Sequence, residues 1–251
     1  MLIFGKSVKG KRDYNQDRIF YDQKNACFFM AVADGVGGSS GGDIASGIIT
    51  EVCGDIFNEF SENPSTSGLK ESIGRIAEIS TGRIRQKTEQ NPEFSSMAST
   101  LTIVAGFGEY YAVGNIGDSR TYLVSPEGVR QLTDDHTYIR EIENKYNPQI
   151  IESLREEMGH VITRSVSREE SSIDLFPESD EHFSLNGGDI LLLCSDGMIP
   201  EKAGDIEEVI GSVSRNSGGL EEAADSLIEW ALAEGSSDNI SIVMGKNEIP
   251  R

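Results

Sequence analysis

The sequence predicts an α+β fold in which antiparallel sheets pack together and helices lie outside. Three observations point there. Apolar, β-rich runs recur along the chain, several of them separated by only two to five turn-forming residues. That is hairpin spacing, and hairpins mean antiparallel pairing. Helical periodicity comes in blocks, in the order strands, two helices, a run of strands, a helical excursion, a strand, helices and a final strand. This order does not alternate βαβα, which disfavours a doubly wound parallel sheet.

The strand-like runs are 27–33 (CFFMAVA), 101–107 (LTIVAGF), 109–116 (EYYAVGNI), 120–124 (RTYLV), 189–194 (DILLLC) and 240–244 (ISIVM). Each is either fully apolar or alternates with period two. The first helix is predicted over 43–60, where Ile44, Ile48, Val52, Ile56 and Phe60 recur every fourth residue and Ile49 and Cys53 widen the stripe. A second covers 68–90 with Leu69, Ile73, Ile76 and Ile84 inward, after a loop at 61–68 (SENPSTSG). Later helices are expected near 137–158, 205–214 and 219–234, the last burying Leu220, Ala223, Ala224, Leu227 and Trp230.

With 251 residues the chain can bury a large core. No apolar stretch reaches the ~18 residues of a membrane span, and the start MLIFGKSVKGKRDYNQD lacks a signal-peptide apolar region, so a cytoplasmic location is expected. The formal charge of −20 opposes nucleic acid and anionic lipid, which need a basic footprint. Cys27, Cys53 and Cys194 sit in apolar segments without CxxC spacing, so buried thiols are expected rather than zinc.

The chemistry concentrates in AVADGVGGSSGGDIAS, residues 31–46. Glycine this dense serves a close backbone approach to phosphate or to a metal. A P-loop needs a lysine after the glycines, and none follows. The dinucleotide fingerprint nearly fits from Gly35 and Gly37, with Asp55 at the spacing of a ribose-binding acid, but Ser40 stands in place of the third glycine. Asp34 would also set a carboxylate against the pyrophosphate, where bare N–H groups are required.

The metal reading asks whether other aspartates end strands in the same way. LLLCSDGM places Asp196 after one apolar run, GNIGDSR places Asp118 between two, and SSDNISIVM places Asp238 before the last, while RDYNQD adds Asp17 near the start. Taken singly, an Asp-Gly is an ordinary turn. Taken together, carboxylates at strand ends without a His/Cys set describe a hard-cation site for Mg²⁺ or Mn²⁺.

These blocks resemble the metal-dependent protein phosphatases, the type 2C serine/threonine phosphatases, in their compact bacterial form. KGKRDYNQD (9–17), AVADGVGG (31–38), GDIAS (42–46), ASTLTIVA (98–105), VGNIGDSRTYLV (113–124), QLTDDHT (131–137), ITRSVS (162–167), LLLCSDGM and SSDNISIVM follow the family's motifs in order, nearly end to end. The resemblance implies a single catalytic domain over 1–251, built as a four-layer α-β-β-α sandwich, with a flap segment at about 137–160. It implies two Mn²⁺ or Mg²⁺ ions bridged by Asp34, ligated by the Gly35 carbonyl, Asp196 and Asp238, with Asp17 acting through a metal-bound water and Asp118 at a third, weaker metal. Arg12 corresponds to the arginine that holds the substrate phosphate, and Asn239 to support for the neighbouring loop. The implied reaction is hydrolysis of phosphoserine and phosphothreonine monoesters by a metal-bridged hydroxide. The implied partners are phosphoproteins made by a serine/threonine kinase; no exposed apolar helix face in the sequence demands a dimer, so a monomer is expected.

The chain departs from the motifs at a few positions. Gln16 replaces the usual glutamate, and Val36 and Ser39 stand where other members carry histidine, which leaves the leaving-group acid unassigned beyond water on a metal. His136 is expected to hold a turn, and His160 and His182 to lie on the surface. The weighed alternatives are a non-catalytic binding module on the same fold and a phosphatase of small phosphomonoesters.

Overall fold

A computed structural model of the protein describes residues 1–36, 41–60, 64–170, 172–178, 183–200 and 204–248, without the side chains of Thr66 and Glu156. The expectations for Ser39, Ser40 and His182 fall outside these residues. In chain order the strands are β1 Leu2–Val8, β2 Arg18–Lys24, β3 Cys27–Ala33, β4 Gly35–Val36, β5 Ala98–Ser99, β6 Leu101–Phe107, β7 Tyr110–Ile116, β8 Arg120–Ser125, β9 Gly128–Gln131, β10 Asp174–Phe176, β11 Phe183–Ser184, β12 Ile190–Cys194 and β13 Ile240–Lys246. The helices are α1 Gly42–Glu59, α2 Thr66–Gln90, α3 Tyr138–Ile142, α4 Pro148–Met158, α5 Ile206–Asn216 and α6 Leu220–Ala233.

One sheet runs β1-β13-β12-β8-β9 and the other β10-β7-β6-β3-β2, with β11 also on β7; all the pairings are antiparallel. Their side chains alternate between two cores, as the pleat requires. From β3, Phe28, Met30 and Val32 meet Leu191 and Leu193 of β12 and Val243 of β13 between the sheets. The intervening Cys27, Phe29, Ala31 and Ala33 pack outward against α1 and α2. The opposite residues of β12 and β13, Ile190, Leu192, Cys194, Ile240, Ile242 and Met244, pack outward under α6. The result is the four-layer α-β-β-α sandwich, with all three cysteines buried and outside any disulfide.

Two readings need correction. The helix expected over 137–158 is two helices. Asn147 caps α4 by accepting from the Gln149 N–H at 2.8 Å, and Pro148 opens it, so the chain restarts there. Its Ile151 joins Ile139 and Ile142 of α3 in a small core separate from the main ones. Strands β1, β2 and β9 went unread because all three lie at sheet edges, where LIFGKSV and RIFYDQK stay half-exposed and polar residues blur the alternation. On α1 the buried stripe centres on Ala45, Ile49, Val52, Cys53, Ile56 and Phe57, while Ile44, Ile48 and Phe60 lie at its margin.

Candidate metal centre

Pairing register brings the strand-end aspartates to one end of the sandwich. Arg18 pairs with Ala33, so Asp17 and Asp34, one residue beyond each, leave adjacent strands side by side. In the other sheet Cys194 pairs with both Arg120 and Ile242. Asp118, Asp196 and Asp238 therefore leave β8, β12 and β13 at the same end. Val8 pairs with Ile240, which sets the turn bearing Arg12 beside Asp238. There the Arg12 Nη2 donates to Asp238 Oδ2 at 2.6 Å.

The carboxylates act on one another. Burial raises the Asp34 carboxyl well above its usual range, and the charges of Asp17 and Asp196 add to it. Burial, aided by Asp238, also raises Asp196, while the hydrogen bond it takes from Asp34 works the other way. Asp17 is pushed up to about 6, chiefly by burial and against the hydroxyls of Ser241 and Ser195. Asp118 is pushed up to about 7 by burial, then by Asp196 and Asp135. Buried like charges repel unless a cation or a proton lies between them.

The donor set fits a hard cation. It is all oxygen, and Asp17 Oδ1 and Asp196 Oδ1 are buried acceptors without a hydrogen-bond partner. Such atoms are costly unless something positive meets them. Among the described residues no three acidic, histidine or cysteine side chains are already grouped closely enough to hold a metal ion. Beside Asp34, a Cβ on Gly35 would fall 2.3 Å from the Gly42 carbonyl oxygen, and one on Gly42 would fall 2.7 Å from the Gly35 oxygen. These two glycines let the strand and the start of α1 touch backbone to backbone.

Neighbouring residues hold the cluster. Asn239 accepts from the Gln16 N–H at 2.9 Å and donates to the Lys9 and Tyr14 carbonyls at 2.9 Å each, tying the 9–17 loop to β13 as expected. Gln16 thus serves through its main chain, whose carbonyl also accepts from Ser46 Oγ at 2.5 Å. Gly10 (φ +55°) meets the Asp238 carbonyl where a Cβ would stand 2.0 Å from it.

Sequence reasoning missed Ser195, which donates to Asp17 Oδ2 at 2.8 Å. Its signal was its place next to Asp196 in an otherwise apolar run. It also missed the partners of His136. That ring accepts from the Gly117 N–H at 3.0 Å and meets Asp174 at 3.0 Å, and Arg164 grips Asp174 with two nitrogens. His136 therefore holds the turn before Asp118, as expected of it. Asp55, at the ribose-acid spacing, instead pairs with Arg83 across α1 and α2.

A cleft of about 400 Å³ opens from Asp118 and Asp196 toward α4 and the turn after it, where Glu152, Arg155 and His160 line it. Strand-end aspartates beside a cleft at one end of an α-β-β-α sandwich are the layout of a metal-dependent class of protein. The Protein phosphatase 2C family matches residues 4–237, and the chain belongs to it. The serine/threonine phosphatase stp of Listeria monocytogenes is 26% identical over 244 residues, 95% of this chain and 92% of that one. Protein phosphatase PhpP of Streptococcus pneumoniae is 27% identical, over 94% and 93% of the two chains. Among solved structures, serine/threonine phosphatase Stp1 of Staphylococcus aureus superposes with a TM-score of 0.85 at 25% identity, covering 98% of this chain and 95% of that one. The catalytic domain of the serine/threonine protein phosphatase PstP, in complex with two manganese ions, gives 0.81 at 25% identity, over 98% and 97%.

Proposed function

We propose that the chain, as one catalytic domain over 1–251, is a metal-dependent protein phosphatase that hydrolyses phosphoserine and phosphothreonine monoesters. The observation that carries this reading is the convergence of five aspartates from five strand ends on one end of the sandwich. Asp34, the Gly35 carbonyl, Asp196 and Asp238 would hold two divalent cations, Mn²⁺ or Mg²⁺, with Asp17 behind them and Asp118 serving a third. Ions held there supply a water acid enough to attack at neutral pH and a clamp on the phosphoryl oxygens. Asp17 leaves one oxygen open beside the cluster while Ser195 fixes the other. Arg12, with one nitrogen committed to Asp238, keeps further donors of its planar fork for a phosphate, a geometry that lysine lacks. The three thiols take no part: burial pushes Cys53 and Cys194 up to about 12.

The partners in this reading are phosphoproteins made by a serine/threonine kinase, met by a monomer in the cytoplasm. No helix among the described residues is long and apolar enough to cross a membrane. The test is phosphate release from a phosphothreonine peptide with Mn²⁺, with EDTA, and for Asp34→Asn. Activity is expected only for the wild type with Mn²⁺. An inactive wild type would favour a binding module, and a preference for a small phosphomonoester would redirect the substrate class.

A further inference from the structure

Between the sheets, the lining changes from hydrocarbon to hydroxyl as the carboxylates are approached. Deep inside, Val104 of β6 packs with Leu191 and Leu193. Two residues nearer the site, Thr102 meets Thr121 of β8, hydroxyl to hydroxyl, at 2.8 Å. Two residues nearer again, Thr100 meets Ser119 at 2.7 Å. All four side chains are buried. Strand β6 belongs to one sheet and β8 to the other, so these pairs cross the sandwich. Hydroxyls in contact at this distance hold their strands about 1 Å closer than carbon–carbon contacts of ~3.5–4.0 Å would.

Thr100 does more than bridge. Its Oγ1 accepts from the Asp34 N–H at 3.0 Å, and its own N–H donates to the Asp34 carbonyl at 2.8 Å. Its methyl faces Gly117 (φ +104°), where an added Cβ would lie 2.6 Å from the methyl carbon. One side chain therefore touches the backbone of Asp34, the residue after Asp118 and the residue before it. Asp34 and Asp118 come from different turns, and nothing in the chain's sequence order joins them.

We propose that Thr100 is a positioning residue whose hydroxyl, clasped to Ser119, sets the separation of Asp34 and Asp118 and so the affinity of the centre for divalent cations. This rests on the metal reading above. Groups that orient ligands from behind are worth about 10–100-fold in metal affinity when removed, because donor positions must hold to within ~0.5 Å. Thr102 and Thr121, equally buried and joined by the same kind of hydroxyl bond but one step farther from the acids, contribute to stability only.

The experiment is a calorimetric titration of Mn²⁺ into metal-stripped wild type, Thr100→Val, Thr100→Ser and Thr102→Val, with melting temperatures recorded for each metal-free protein. Thr100→Val keeps the methyl against Gly117 and removes the hydroxyl; it should bind Mn²⁺ about 10-fold more weakly or worse. Thr100→Ser keeps the hydroxyl and removes the methyl, and should bind within about 3-fold of wild type. Thr102→Val should lose melting temperature with manganese affinity within about 3-fold of wild type, both limits lying below the outer-shell range. Wild-type affinity in Thr100→Val, or an equal loss in Thr102→Val, overturns the clasp and leaves the metal reading standing. A wild type that binds no manganese overturns both. If Thr100→Val does not fold, Ser119→Ala takes its place, and unchanged manganese affinity there refutes the inference.

Discussion

Replacing Asp118 by asparagine should make the metal-free protein more stable, and only at the alkaline side of its titration. In the folded chain the Asp118 pKa is about 7 against an ordinary 3.8, a rise caused first by burial and then by Asp196 and Asp135. Its folded pKa exceeds its unfolded one, so between the two values the folded state holds a proton that the unfolded state has released. Stability therefore falls as pH rises from about 4 to about 7, and the full penalty is present above 7. At about 1.36 kcal/mol per pKa unit, a rise of roughly three units bounds that penalty near 4 kcal/mol. Asp118 is coupled by charge to Asp34 and Asp196, so removing it alone should return only part of that, about 1–2 kcal/mol. For a chain of this size that is roughly 3–6 °C in melting temperature. The assay is thermal unfolding followed by circular dichroism in EDTA at pH 8 and again at pH 4.5. Asp118→Asn should melt higher than wild type at pH 8 and close to it at pH 4.5. A gain that is absent at pH 8, or that persists unchanged at pH 4.5, refutes the idea that buried like charge destabilises this end of the sandwich.

Gly106→Ala should destabilise the fold by about 1–3 kcal/mol in a denaturant titration, since an added Cβ would stand 2.0 Å from the buried Phe28 ring between the sheets. Wild-type stability would show that this core yields more easily than its packing implies. Arg12→Ala should raise KM for a phosphothreonine peptide by about 10-fold or more, the scale of a lost charge-assisted hydrogen bond, with a smaller fall in kcat. A loss confined to kcat would remove Arg12 from ground-state phosphate binding.

Much of the sandwich was legible because buried strands advertise themselves. CFFMAVA and DILLLC are apolar on both faces, and both faces turn out to meet a core. The edge strands β1 and β2 were not legible, because a half-exposed strand tolerates lysine, serine and aspartate and loses its period. The break between α3 and α4 was written locally as Asn147-Pro148, yet the acidic, semi-periodic stretch around it obscured the signal.

The candidate site divides in the same way. The sequence by itself put Asp34, Asp118, Asp196 and Asp238 at strand ends, since a carboxylate one or two residues beyond an apolar run must emerge where its strand leaves the core; sheet register brought those ends together. It also pointed to a hard cation, because oxygen donors without histidine or cysteine suit little else. Only the tertiary structure decided what stands behind those acids. Ser195 under Asp17, Asn239 across the 9–17 loop, His136 under the Asp118 turn and Thr100 behind Asp34 are joined by hydrogen bonds between segments far apart in the chain. A single serine or threonine carries no periodicity and no charge, so its role appears only when sheet register places its hydroxyl within 3 Å of a particular partner.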